Sequence, residues 1–228
     1  MKKILLIIYL FFNFINVISQ QVSQIPENKN VILEEFTGIH CTYCPDGHFI
    51  ANQIQSNNPN DFFIINIHSG SYATPMSGDP DFRTQWGQSI EDQADVSGYP
   101  SGTINRHYFP SFSANGGTSI FRNDWQAATD SILMQSSPVN LWAESQIDLS
   151  SSTISIDVEL FYTASQPTIL NNRLHIAVLQ NNVEGPQSGG SSYNPSQSLA
   201  NGNYSHQHML RHLITGQWGE QIDSISQG

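Results

Sequence analysis

The chain is poor in cysteine and in positive charge. Its 228 residues hold two cysteines and 8 lysines plus arginines, against 19 aspartates plus glutamates, for a formal net charge of −11. Such an acidic surface repels phosphate backbones and argues against nucleic acid as a partner. Charged residues of both signs make up only 12% of the chain, while 38% is hydrophobic. That apolar share is enough for a core, so the low charge reads as an Asn-, Gln- and Ser-rich surface and not as disorder. There is no internal repeat. Past the N-terminus, no apolar run approaches the ~20 residues that a spanning helix needs.

The one long apolar run is at the N-terminus. Lys2 and Lys3 precede residues 4–18, which are interrupted only by Asn13 and Asn16 and followed by Ser19 and a polar stretch. The pattern predicts an export signal over residues 1–20, since the run is short for a membrane anchor. No cysteine lies at the cleavage point, so no lipoprotein attachment is expected. The mature protein is expected in the periplasm, in the outer membrane, or at the cell surface or secreted, where disulfides persist.

The cysteines stand together, in His40-Cys41-Thr42-Tyr43-Cys44-Pro45. Two intervening residues suit a small disulfide, a dithiol redox site or half of a zinc site. His48 extends the pattern to Cys-x2-Cys-x3-His, but a zinc site finds no further cysteine and no assignable fourth ligand. Pro45 stands where a c-type haem motif needs histidine. A purely structural disulfide closes too short a loop to stabilise much through chain entropy.

Residues 31–36 form a short β-rich run, and residues 61–68 a second strand apolar enough for burial on both faces. Between them a helix is expected to start at Cys41, with Pro45 tolerated in its first turn. Strand, helix, strand implies a right-handed crossover with the cysteines at the carboxyl end of the first strand. Free amides and the dipole at a helix start lower a thiol pKa. Cys41 is then the attacking thiolate and Cys44 the resolving thiol. His40, when protonated, adds to the stabilisation of the thiolate.

Alternation along the first strand puts Val31, Leu33 and Glu35 on one face and Ile32, Glu34 and Phe36 on the other. A carboxylate buried beneath a dithiol relays protons to the resolving thiol. Glu35 is the candidate for that role, with solvent exposure at the strand end as the competing reading, and Glu34 is expected to reach solvent. Tyr99-Pro100, flanked by glycines and leading into a strand, is a candidate cis bond beside the dithiol, where the preceding backbone pairs with an extended substrate. Residues 69–98 form an insert with a helix expected over 82–94, and residues 121–134 read as a helix closing the domain.

The composition changes at Ser136-Ser137-Pro138. Residues 139–147 and 153–162 alternate as half-buried antiparallel strands, 174–179 and 208–214 read as further strands, and 184–202 read as an exposed loop. Too few strands are present for a full sandwich, so the domain over 138–228 is expected to be all-β, sandwich-like and incomplete. His206, His208 and His212 raise a metal reading through alternate strand positions, but with few acidic residues or cysteines nearby no metal site is assigned. No cofactor is expected.

Glu35 ahead of a Cys-x-x-Cys-Pro at a strand-to-helix junction, with a proline-led strand downstream, resembles the thioredoxin fold. More narrowly, Glu34-Glu35-Phe36-Thr37-Gly38, Cys41-Thr42-Tyr43-Cys44-Pro45, the segment from Gly98 through Pro100 to Arg106, and His206-Gln207-His208-Met209-Leu210-Arg211 resemble the Omp28-related outer-membrane protein family. That resemblance implies an exported α/β protein: a thioredoxin-like domain over 21–137 followed by a β-rich domain. It implies outer-membrane association without a spanning helix. Where a tryptophan is usual in thioredoxins, His40 stands here. The expected function is thiol-disulfide exchange with protein thiols or disulfides of the envelope, with Cys41, Cys44, Glu35 and Pro100 as site residues. The competing expectation is a non-catalytic surface binding or adhesion protein that keeps the fold around an inert dithiol.

Overall fold

The computed structural model describes residues 20–163 and 172–222. The expected export signal therefore lies outside the described residues, apart from its last position. The first strand, β1 (Val31–Thr37), leads through a tight loop into helix α1 (Cys44–Asn57) and then strand β2 (Phe62–His68), which pairs with β1 in parallel. A short helix α2 (Gly70–Ala73) and helix α3 (Gly87–Ala94) precede strand β3 (Ser101–Ile104), antiparallel to β1 on its other side. Strand β4 (Ile120–Phe121) and helix α4 (Trp125–Leu133) follow. The helix expected over 82–94 begins only at Gly87; residues 82–84 are irregular and residues 85–86 form a turn.

The alternation along β1 decides what each face meets. Val31 and Leu33 pack with Ala51 and Ile54 of α1 and with Trp125, Ala128 and Ile132 of α4. Phe36, on the opposite face, packs with Ile90 and Ala94 of α3 and with Leu210 and Leu213 from the C-terminal part of the chain. Burying such side chains stabilises the fold by about 1.5–3 kcal/mol each. Glu35 shares the parity of Leu33 and so lies beneath α1.

Among the described residues after 138, the strands divide between the first sheet and small two-stranded sheets. Within these residues, strands β5 (Val139–Asp148) and β6 (Thr153–Tyr162) form a long two-stranded hairpin, and β7 (Arg173–Leu174) pairs with β12 (Glu220–Gln221). Strand β8 (Ala177–Gln180) and strand β11 (Met209–Leu213) return to the first sheet, which is six-stranded in the order β4-β3-β1-β2-β11-β8. Met209 pairs with Asn66 of β2, and the Asn66 amide hydrogen and side-chain NH2 donate to the carbonyls of His208 and Gln207 at 2.8 Å each. The alternating pattern after Pro138 is equally suited to an edge strand of an existing sheet, and β2 supplies an open edge lined with apolar residues.

Strand β9 (Val183–Gly185) and strand β10 (Tyr204–His206) form a small ribbon. The stretch expected as an exposed loop between them instead holds helix α5 (Gly190–Tyr193), a 3-10 turn at Pro195–Gln197 and fully buried Asn194. On one face of the hairpin Leu141, Ala143, Ser145 and Ile147 of β5 face Leu160, Val158, Ile156 and Ile154 of β6, whereas the other face carries Glu144, Asp148, Asp157 and Glu159 together with Trp142 and Phe161.

Candidate functional site

Cys41 and Cys44 form a disulfide at the start of α1. The helix begins at Cys44, one turn later than its sequence predicts, and Cys41 lies in the preceding turn, where its amide donates to the carbonyl of Gly38 at 3.0 Å. Pro45 occupies the first turn, whose amides lack intrahelical acceptors, and costs the helix no hydrogen bond. Cys41 is 3% exposed and Cys44 is fully buried.

Glu35 is fully buried directly behind this turn. A β-carbon placed on Gly47 would sit 2.5 Å from Glu35 Oε1 and 2.9 Å from Pro100 Cβ, so carboxylate, proline and helix backbone meet at one point. Gly47 lies three residues after Cys44, on the same side of the helix. Neither carboxylate oxygen of Glu35 has a hydrogen-bond partner, and burial raises its pKa well above the ordinary value, partly offset by the positive charge of Arg122. The Tyr99–Pro100 peptide bond is cis. The phenol of Tyr99 donates to Glu91, which anchors the turn to α3.

Glu34 does not reach solvent. Arg106 grips it from Nε at 2.7 Å and from Nη2 at 2.6 Å, and the Arg106 guanidinium in turn lies over the Trp218 ring, 5.9 Å from its centre. The His40 Nε2 lies 3.1 Å from a carboxylate oxygen of Asp79 in the insert.

His48, the third member of the zinc-like spacing, is buried and engaged elsewhere. Its Nε2 lies 3.1 Å from Thr37 Oγ1 and 3.8 Å from Glu35 Oε1, while Nδ1 lies 3.0 Å from the Tyr204 hydroxyl. The side-chain amide of Asn194 donates to that hydroxyl at 3.0 Å. Burial, reinforced by His206 and His208, lowers the His48 pKa to about 3. His206 packs edge-on against Phe82, His68 and Tyr204, and burial lowers its pKa to about 4. His212 sits on a different strand, edge-on to Trp86. The three late histidines do not share a face, because the chain turns at His208, whose φ is 52°.

The C-terminal part of the chain closes over the disulfide. The Gln187 side chain donates to the carbonyl of Cys41 at 3.1 Å and to that of Gly38 at 3.2 Å, and the Ser188 amide donates to Ile39 at 2.8 Å. Gly189, with φ of 73°, presses so near Thr42 that a β-carbon would lie 2.1 Å from its carbonyl oxygen. Tyr193 meets Tyr43 edge-on at 5.1 Å. Residues 187–193 thus form a strap across the Cys-x-x-Cys turn. Sequence reading missed Gln187, Asn194 and Tyr204; the only local signal was the Gly189-Gly190 pair, which marks close backbone approach.

Residues 87–228 match the family of outer membrane protein Omp28. The chain belongs to the Omp28 family. The matched residues of this Omp28 protein include Pro100, the strap and Tyr204, whereas Glu35 and both cysteines precede them. No curated protein matches the chain. Among solved structures it is similar to HBP35 of Porphyromonas gingivalis, with TM-score 0.66 and 19% identity, over 89% of this chain and 62% of that one. It therefore spans less than two thirds of the HBP35 chain. A second similarity is to protein AGR_C_4864 from Agrobacterium tumefaciens, with TM-score 0.51 and 13% identity, over 86% of this chain and 77% of that one. Both likenesses concern the fold. The family's description points to the cell envelope, and no helix among the described residues is long and apolar enough to cross a membrane.

Proposed function

We propose that this Omp28 family member is an exported, thioredoxin-like thiol-disulfide exchange protein acting on protein thiols or disulfides of the envelope. One convergence carries the reading: Glu35 and Pro100 meet at Gly47, one turn behind a disulfide that opens a helix. In the reduced protein the Cys41 thiolate, favoured by the helix start, attacks one sulfur of a partner disulfide; the partner S–S bond breaks, its first sulfur leaves as a thiolate and a mixed disulfide with Cys41 remains. Cys44 then loses its proton to Glu35, its sulfur bonds to Cys41, and the partner's second sulfur leaves as a thiolate. Pro100 shapes the edge that an extended partner segment meets.

A second reading, a non-catalytic surface binding or adhesion protein with an inert disulfide, is favoured by the strap, which leaves Cys41 only 3% exposed. Replacing Cys44 with serine separates the two. Exchange predicts mixed disulfides through Cys41 to envelope proteins, and a thiol pKa well below ~8.5. No trapped partner together with an ordinary Cys41 pKa would leave the binding reading. The reduction potential then assigns direction: near about −270 mV the couple serves as a reductant, near about −120 mV as an oxidant.

A further inference from the structure

Thr37, His48, Tyr204 and Asn194 form a buried polar chain that ends beside Glu35. Tyr204 is nearly inaccessible to water. Its oxygen accepts from Asn194, and the acceptor within reach of its own proton is His48 Nδ1. A buried hydroxyl proton left without an acceptor is unfavourable, so Nδ1 accepts and the ring hydrogen sits on Nε2. That nitrogen faces Thr37 Oγ1 at 3.1 Å and Glu35 Oε1 at 3.8 Å. Of all the groups around it, Glu35 has neither oxygen satisfied. Uncharged, the carboxyl tolerates this site; ionised, it needs a donor.

We propose that His48 is a positioning residue for exchange, offering Nε2–H to Glu35 when the carboxyl ionises and so preparing it to take the proton of Cys44. This rests on the exchange reading above. Cys44, Gly47 and His48 lie on the same side of α1, so resolving thiol and donor stand about one 5.4 Å turn apart along the helix, with the Glu35 carboxylate against Gly47 between them. In the step itself the Cys44 S–H bond breaks and the proton goes to Glu35. The freed electron pair forms the Cys44–Cys41 bond, and the bond from Cys41 to the partner sulfur breaks. His48 gives up no proton; it shifts its hydrogen bond from Thr37 toward the carboxylate. The charged and titratable groups around the pair are Arg122 on the Glu35 side, and Tyr204, His68, His206 and His208 on the His48 side.

The test uses the reduced full-length protein and an aromatic disulfide reagent that releases one chromophoric thiolate on attack by Cys41 and another on resolution by Cys44. His48→Leu removes the donor, His48→Gln supplies an N–H near the Nε2 position, and Tyr204→Phe removes the hydroxyl that fixes the tautomer while keeping the ring. A hydrogen bond to a charged group is worth enough for about a tenfold effect. Expected for His48→Leu are an unchanged first release and a second release slowed about tenfold, with its pH midpoint raised by about one unit. His48→Gln restores most of the rate, and neither variant adds to the defect of Glu35→Gln. If His48→Leu does not fold, Tyr204→Phe must show the same upward midpoint shift. An unshifted second release, or a His48 effect that persists in full on the Glu35→Gln background, overturns the proposal alone. Absence of the first release overturns the exchange reading, and this proposal with it.

Discussion

The side-chain amide of Gln187 donates to the carbonyl oxygen of Cys41 across 146 positions of sequence. The turn that carries the disulfide is therefore held by two distant parts of the chain: β1 below it and the strap above. Access to Cys41 is set from the strap side, where Gln187 and Gly189 contact the turn and Tyr193 meets Tyr43 edge-on.

Gln187→Ala removes the donor to two carbonyls and is expected to lower stability by about 1–2 kcal/mol. It should also speed alkylation of Cys41 in the reduced protein several-fold. Iodoacetamide labelling of the variant against the parent reads this directly, and equal rates would mean that the strap does not limit access.

Gly47→Ala should reverse the usual helix preference. Alanine ordinarily stabilises a helix interior by about 1 kcal/mol over glycine. Here the new methyl group meets Glu35 Oε1 and Pro100 Cβ, and overpacking makes the expected change a loss of about 1–3 kcal/mol. Urea denaturation measures it. Adding Glu35→Ala should recover part of the loss, since the two positions touch.

The buried titratable groups give stability a dome in pH. The pKa of Glu35 is raised by burial, so the folded state holds a proton that the unfolded chain releases above about 4.5, and stability falls as pH rises beyond that value. The pKa values of His48 and His206 are lowered to about 3 and about 4, and that of His68 is also lowered, so their contribution is complete above about 6.5 and declines as pH falls. Each histidine that takes up a proton on unfolding adds a slope of up to about 1.4 kcal/mol per pH unit. Denaturation midpoints should therefore drop steeply from pH 6 to pH 4. Glu35→Gln should be more stable than the parent at pH 8 and lose that advantage below pH 4.5.

Arg106→Met leaves the Glu34 carboxylate enclosed without its partner and should destabilise by about 3 kcal/mol. The double variant with Glu34→Leu should regain most of this, because the penalty comes from an unpaired buried charge. Guanidinium melts of the three proteins decide the point, and a double variant no better than the single would place the penalty elsewhere.

The parts of the fold within reach of local pattern were legible in the sequence. Apolar runs bounded by Thr37-Gly38 and by Asp61 marked β1 and β2, whereas alternation put Glu35 on the face of Leu33 but left its burial and its exposure both open, and packing beneath α1 buries it. Glu34 was misread because its partner, Arg106, lies 72 residues away and leaves no mark near the strand. The strap was misread because Gly-, Ser- and Asn-rich sequence describes a solvent loop and a close-packed backbone segment equally well. Strand β11 was recognised as a strand but not as a neighbour of β2, since periodicity gives the exposure of a strand and not its partner.

The parallel docking of β11 beside β2 has a consequence for how the protein comes into being. Asn66 must wait for Met209, and Cys41 must wait for Gln187, until most of the chain has emerged. A chain arriving N-terminus first thus passes through an interval in which β2 presents a bare edge and both thiols stand open. Strand β11 then closes that edge, and the strap, which precedes it in the chain, covers the turn that carries both cysteines.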